Sequence, residues 1–229
     1  MRRVLALLCL VSFAACTPVP TVKPTVEPVN ETGSLAETVS GNDATPLNTD
    51  SLEVAATKTG TIVPGVITKE DTIRFGTGSS MATLRIFMDY DCLYCRQSEI
   101  STRAWLDSEF VATEKISIER IFTPMTPWGN RMALAALCAA DQQKFDALDD
   151  LLLKQTPANE VALQALVKQA KVEKKAFDAC MKKADRIPAT RLIGNTEVTR
   201  VPTFNINRDT WVGVLSDEEL RERIEKALK

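Results

Sequence analysis

The sequence predicts an α/β domain interrupted by an inserted helical block and preceded by a disordered tether. Three observations carry this. Residues 17–65 hold Pro18, Pro20, Pro24, Pro28, Pro46 and Pro64 but no aromatic side chain, so that stretch buries too little apolar surface to offset its ordering entropy. Beyond it the pattern changes to short apolar runs and alternating segments. From residue 127 to about 190, apolar positions recur at helical spacing instead.

In chain order, Met1-Arg2-Arg3 and the apolar run Val4 to Ala15 read as an export signal. The run is shorter than the roughly 20 residues that span a bilayer. Phe13-Ala14-Ala15-Cys16 resembles the lipobox of bacterial lipoproteins, with Phe13 where Leu is usual. Cleavage there leaves Cys16 to carry lipid, whereas ordinary signal peptidase acting after Ser12-Phe13-Ala14 leaves plain secretion and a spare Cys16. Cysteine parity favours lipid: loss of residues 1–15 removes Cys9 and leaves Cys16, Cys92, Cys95, Cys138 and Cys180, and lipidating Cys16 leaves two pairs. The expected organisation is a signal peptide over 1–15, a lipid-anchored linker over 16–65 and a domain over 66–229 with its insertion at about 127–190. A coil of the linker's length reaches about 40 Å. The expected place is the periplasm or cell envelope, tethered to a membrane, where thiols can be oxidised.

Within the domain, Leu84, Ile86, Phe87 and Met88 occupy both parities of Thr83 to Tyr90, the pattern of a strand buried on both faces. A helix is expected from Cys92 through Ile100, Ala104 and Trp105 to about Ser108, then a strand over Ile116 to Phe122. Short spacing favours a right-handed crossover between these strands. Four apolar groups follow at helical spacing: Met132, Leu134, Leu137 and Cys138; Phe145, Leu148, Leu151 and Leu152; Val161, Leu163 and Leu166; Phe177, Cys180 and Met181. They predict three or four helices. The sheet resumes at Thr203 to Asn207, turns over Arg208-Asp209 and returns as Trp211 to Leu215. Ser216 to Glu219 has the form of a capping box, and Leu220, Ile224 and Leu228 give the closing helix one apolar stripe.

Composition narrows the chemistry. The chain has 28 Lys and Arg, 30 Asp and Glu, and no histidine. Ser-His-Asp and Cys-His nucleophiles, histidine bases and imidazole metal sites are therefore excluded. The formal charge of -2 becomes -4 when Arg2 and Arg3 leave with the signal, so no basic field exists to gather nucleic acid.

Cys92-Leu93-Tyr94-Cys95 stands where strand passes to helix. Three residues apart on a first turn, the two sulfurs share a face, and unpaired N–H groups with the helix dipole favour a thiolate at the first. Cys92 is the expected nucleophile. Cys95, one turn in, is less accessible and resolves a mixed disulfide by attacking Cys92. Zinc is an alternative only if Cys138 and Cys180 complete four ligands, yet each lies in a helical pattern. A plain structural disulfide is another. No metal or cofactor is expected.

Together with Val201-Pro202-Thr203 before a strand, this motif resembles the thioredoxin superfamily, specifically the DsbA-like thiol-disulfide oxidoreductases. The resemblance runs from about Thr72 to Lys229. It rests on Phe87-Met88-Asp89-Tyr90-Asp91-Cys92-Leu93-Tyr94-Cys95-Arg96, on Leu137-Cys138-Ala139-Ala140 with Phe145, and on Phe177-Asp178-Ala179-Cys180. It implies a thioredoxin-like fold with a helical insertion, a cis bond at Pro202 facing the cysteines, and a peptide held by Val201, Pro202 and Thr203. Cys138 and Cys180 are then either a disulfide stapling the insertion, as in some relatives, or two buried thiols. The implied partners are unfolded or reduced exported proteins and a membrane redox partner, DsbB-like for an oxidase or a thiol carrier for a reductase. A monomer is expected. Val201 before Pro202 and the want of a dimerisation domain favour an oxidase over a reductase or isomerase.

Three departures bear on redox tuning. Leu93-Tyr94 lacks the proline and histidine common in strongly oxidising members; the Asp91 carboxylate opposes a thiolate beside it, though it can also cap the helix; and Arg200 stands where relatives often have a small residue. They predict a less oxidising couple. The rivals from other classes are a lipoprotein holding copper(I) on Cys92 and Cys95 with Met88 nearby, and an interaction protein whose Cys92 is unreactive.

Overall fold

The computed structural model describes residues 63–229. The signal peptide, Cys16 and the linker up to residue 62 lie outside the described residues. Six strands form one mixed sheet in the order β1-β2-β4-β3-β7-β8: Val66–Ile67, Ile73–Phe75, Ile116–Phe122, Ala82–Met88, Thr203–Ile206 and Asp209–Val212. At its centre β3 and β4 run parallel, in register from Ala82 opposite Ile116 to Met88 opposite Phe122. β7 is antiparallel to β3, and β2 to β4. Leu84, Ile116 and Phe122 are wholly buried, as central strands covered on both faces should be.

The crossover from β3 to β4 is α1, Leu93–Leu106, continued by a π-helical turn over Asp107–Val111. The helical stretch expected to end near Ser108 continues to Val111. It runs on because Phe110 and Val111 are core residues, and because the buried Asp107 carboxylate takes Arg103 Nε at 2.7 Å and the Val63 N–H at 3.3 Å. The chain at Val63 is thereby pinned to the end of α1.

The insertion holds four helices, α2 Pro127–Ala140, α3 Phe145–Lys154, α4 Glu160–Gln169 and α5 Lys174–Cys180. Thr126, Asn159 and Glu173 cap α2, α4 and α5 through their side-chain oxygens, each satisfying an N–H that has no partner in the helix. α2 is buried at every position from Met132 to Ala140, so it is the insertion's central helix. A disulfide joins Cys138 of α2 to Cys180 of α5, with Cα atoms 5.7 Å apart. Insertion and sheet meet at Arg120 of β4, whose buried guanidinium pairs with Glu99 of α1 and Asp149 of α3. Tyr90 donates its hydroxyl to the same Asp149 at 2.6 Å.

Two further boundaries differ from the sequence reading. Strand β3 ends at Met88 rather than Tyr90, because Asp89 turns its carboxylate back onto the Asp91 N–H at 2.9 Å. The hairpin turns one residue early: Ile206 pairs with Asp209, and Asn207 adopts a φ of 52°, a left-handed conformation asparagine tolerates. β8 therefore spans Asp209–Val212 and not Trp211 to Leu215. Beyond it Gly213 takes a φ of 96° and donates its N–H to the Pro202 carbonyl at 2.8 Å. A small second hairpin, β5 Leu192–Ile193 with β6 Thr196–Glu197, precedes the Pro202 loop. The chain closes with α6, Asp217–Ala227, where the Ser216–Glu219 capping box is formed in both directions.

Candidate active site

Strand β3 delivers Cys92 to the helix. The Cys92 N–H donates to the Asp89 carbonyl at 3.1 Å, and this turn leaves Cys92 as the N-cap of α1, with φ -83° and ψ 112°. At that position the sulfur replaces a capping oxygen and accepts the Cys95 N–H at 3.2 Å. Asp91 is not the cap; it is exposed, and its carboxylate takes the Thr126 hydroxyl at 2.7 Å. Cys92 is half-buried, whereas Cys95 is 1% exposed, and neither is disulfide-bonded. Burial pushes the Cys95 thiol well above the ordinary range, a sulfur hydrogen bond to Cys92 adds to this, and the Asp89 backbone partly offsets it. Between them Leu93 and Tyr94 face solvent.

Opposite Cys92 lies the loop before β7. The Val201-Pro202 bond is cis, and the Cys92 thiol points at the Val201 carbonyl, 3.8 Å away. The sequence set these residues over a hundred positions apart; the antiparallel pairing of β3 with β7 brings them together. Two open clefts flank the loop. One, of about 520 Å³, is lined by Thr123, Pro124, Met125, Val198 and Thr199; the other, of about 390 Å³, by Ile193, Arg200, Thr203, Thr210 and Val212. Thr203 itself is 3% exposed and donates its hydroxyl to the Arg200 carbonyl at 2.7 Å. It lines the second cleft and supports the loop. Cys138 and Cys180 sit in the insertion, away from this cluster in the chain and bonded to each other.

Sequence reasoning missed Asp89. It is 1% exposed, and its two carboxylate oxygens take the N–H groups of Asp91 at 2.9 Å and Met125 at 2.7 Å. Burial pushes its carboxyl up, against the pull of those two N–H groups. Gly129 of α2 leaves the space: a Cβ there would overlap the carboxylate. The only signal in the sequence is an acidic residue directly following an apolar strand.

A thioredoxin family model matches residues 68–226. No curated protein matches. Among solved structures, a thioredoxin-like oxidoreductase from Silicibacter pomeroyi superposes with a TM-score of 0.55 at 18% identity, covering 68% of this chain and 91% of that one. Wolbachia pipientis alpha-DsbA1 gives 0.60 at 14% identity over 71% and 93%. The catalytic domain of Proteus mirabilis ScsC gives 0.51 at 14% over 68% and 88%. At such identities the likeness is one of fold.

Proposed function

Because the chain belongs to the thioredoxin family, we propose that it is an extracytoplasmic thiol-disulfide oxidoreductase, an oxidase in direction, acting on unfolded or reduced exported proteins. One observation carries the reading: a half-exposed Cys92 at a helix N-terminus, above a buried Cys95 and against a cis Val201-Pro202 bond. In the oxidising direction a substrate thiolate attacks Cys92 Sγ in a Cys92–Cys95 disulfide, and Cys95 leaves and takes a proton. A second substrate thiolate then attacks its own linked sulfur and expels Cys92. The substrate gains a disulfide and loses two electrons and two protons, which a membrane partner of the DsbB kind removes from the pair. Val201 and Pro202 hold the peptide, and the clefts beside them take its side chains. Cys16 serves as the lipid anchor, and Leu93, Tyr94 and Asp91 tune the couple.

The reductase reading stays open on one specific observation. A buried Cys95 held protonated is a poor leaving group and, once deprotonated, a strong nucleophile. Both properties lower the potential. Equilibration with glutathione is expected to place the couple below the about -120 mV of the strongest oxidase. A value at or above that contradicts this tuning, and one near the about -270 mV of thioredoxin assigns the chain to the reductases. A pair that never equilibrates contradicts disulfide exchange altogether.

A further inference from the structure

Arg191 is a cation without a counter-ion in the wall of the larger cleft beside the Pro202 loop, which it lines together with Thr123, Met125 and Thr199. Its Nε donates to the Phe122 carbonyl at 3.0 Å, which holds the guanidinium at the end of β4. This is the one hydrogen bond of its side chain among the described residues, and Nη2 is buried with no acceptor. The carboxylates that attract it are engaged elsewhere: Asp71 by Arg186 at 2.5 Å and Glu119 by Arg85 at 3.2 Å. Burial pushes the group down from the ordinary arginine range, against the pull of those two carboxylates, yet a guanidinium stays charged in a protein. A buried donor without an acceptor costs stability, so the site is incomplete without a ligand. Across the loop the second cleft has an exposed arginine of its own, Arg200. None of the ion pairs among the described residues includes Arg191 or Arg200. Against these two cations the clefts have one carboxylate, Glu197, which borders both.

We propose that Arg191, with Arg200 across the loop, selects substrate segments in which Asp or Glu stands near the reacting cysteine. A peptide lying along Val201 and Pro202 places the neighbours of its cysteine in the two clefts. There a carboxylate supplies the guanidinium with the acceptor it lacks. The planar fork of arginine donors fits a carboxylate, and a half-buried cation is less weakened by water than a surface one. An amide in the same place brings no charge, and a lysine meets its own sign. The selectivity rests on the exchange reading above and names its substrate class.

The probe is a set of unfolded peptides, each with a single cysteine bonded to 2-thiopyridine and with Glu, Gln or Lys two residues to either side of it. Each is mixed with the reduced full chain. The Cys92 thiolate attacks the peptide sulfur, the bond from that sulfur to the pyridyl sulfur breaks, and pyridine-2-thiolate leaves, its absorbance giving the rate. Cys95 then attacks Cys92 and frees the peptide thiol. Dividing each rate by that of the same peptide with 2-mercaptoethanol removes the effect of the flanking charge on the peptide's own sulfur. The Glu peptide is expected to react about fivefold faster than the Gln peptide, and the Lys peptide more slowly than either. Arg191→Gln is expected to bring the Glu-to-Gln ratio close to one. Where that variant fails to fold, Glu197→Gln on the exposed β5–β6 hairpin serves instead and is expected to raise the ratio. A wild-type ratio of one, or a ratio that the folded variant leaves unmoved, overturns the proposal. A chain that reacts with none of the peptides overturns the exchange reading itself, whereas one that reacts with all three alike overturns only the acidic selectivity.

Discussion

Replacing Arg120 with alanine is expected to destabilise the fold by about 3–5 kcal/mol, the cost of removing one partner from a buried ion cluster. The guanidinium has no exposed surface. It pairs with Glu99 from α1 and with Asp149 from α3, and it lies over the rings of Phe75 and Phe145, 5.1 and 5.6 Å from their centroids. Alanine would leave two carboxylates buried at 5% and 4% exposure without their cation. It would also open space in the seam where the insertion meets the sheet. Glu99 lies one turn after Cys95 on α1 and Tyr90 two residues before Cys92, so the helix that presents the nucleophile is anchored through this cluster. Urea unfolding measures the loss. A triple variant with Arg120→Met, Glu99→Gln and Asp149→Asn is expected to recover much of it, since it is the unpaired charge that costs most. A loss below about 1 kcal/mol for Arg120→Ala would mean that the cluster is not the seam's anchor.

Cys95→Ser is expected to trap the chain on its substrates. Cys92 Sγ is the sulfur a peptide lying along Val201 and Pro202 can reach, and Cys95 is the group beneath it with its N–H already 3.2 Å from that sulfur. With serine at 95 nothing buried can attack the mixed disulfide, and its lifetime should move from seconds toward hours, the range of unassisted reshuffling. Cys92→Ser forms no such complex. Non-reducing electrophoresis with an unfolded substrate of one cysteine, supplied as its glutathione mixed disulfide, separates the two: Cys92 attacks the substrate sulfur, glutathione leaves as the thiolate, and a substrate with one thiol cannot release itself, so only Cys95 can. Accumulation on the Cys92→Ser variant instead would reverse the roles assigned to the pair.

Much of this was legible in the sequence because it is local. The apolar run 116–122 became a strand with the same limits, and the Ser216 to Glu219 box formed as written. The four apolar groups of the insertion became four helices. What escaped depends on distance along the chain. Arg120 and Glu119 look alike within Ile118-Glu119-Arg120-Ile121; only partners 21 and 29 residues away decide that Arg120 is buried. The task of Asp89 is set by Met125, 36 residues on, and by a glycine whose missing side chain matters only when α2 is docked. β1, β2, β5 and β6 have two or three residues each, too few to show a period of two. The continuation of α1 past Ser108 follows from tertiary burial of Phe110 and Val111, which outweighs any local stop signal.

The account turns on an asymmetry between two sulfurs three residues apart, and alkylation of the reduced native chain at neutral pH, read thiol by thiol on digested peptides, measures it directly. Cys92 is expected to be labelled first and Cys95 to be spared until the protein is unfolded, since its thiol is buried and held protonated. Equal labelling of the two, or a Cys92 that resists the reagent in the folded state, would contradict it.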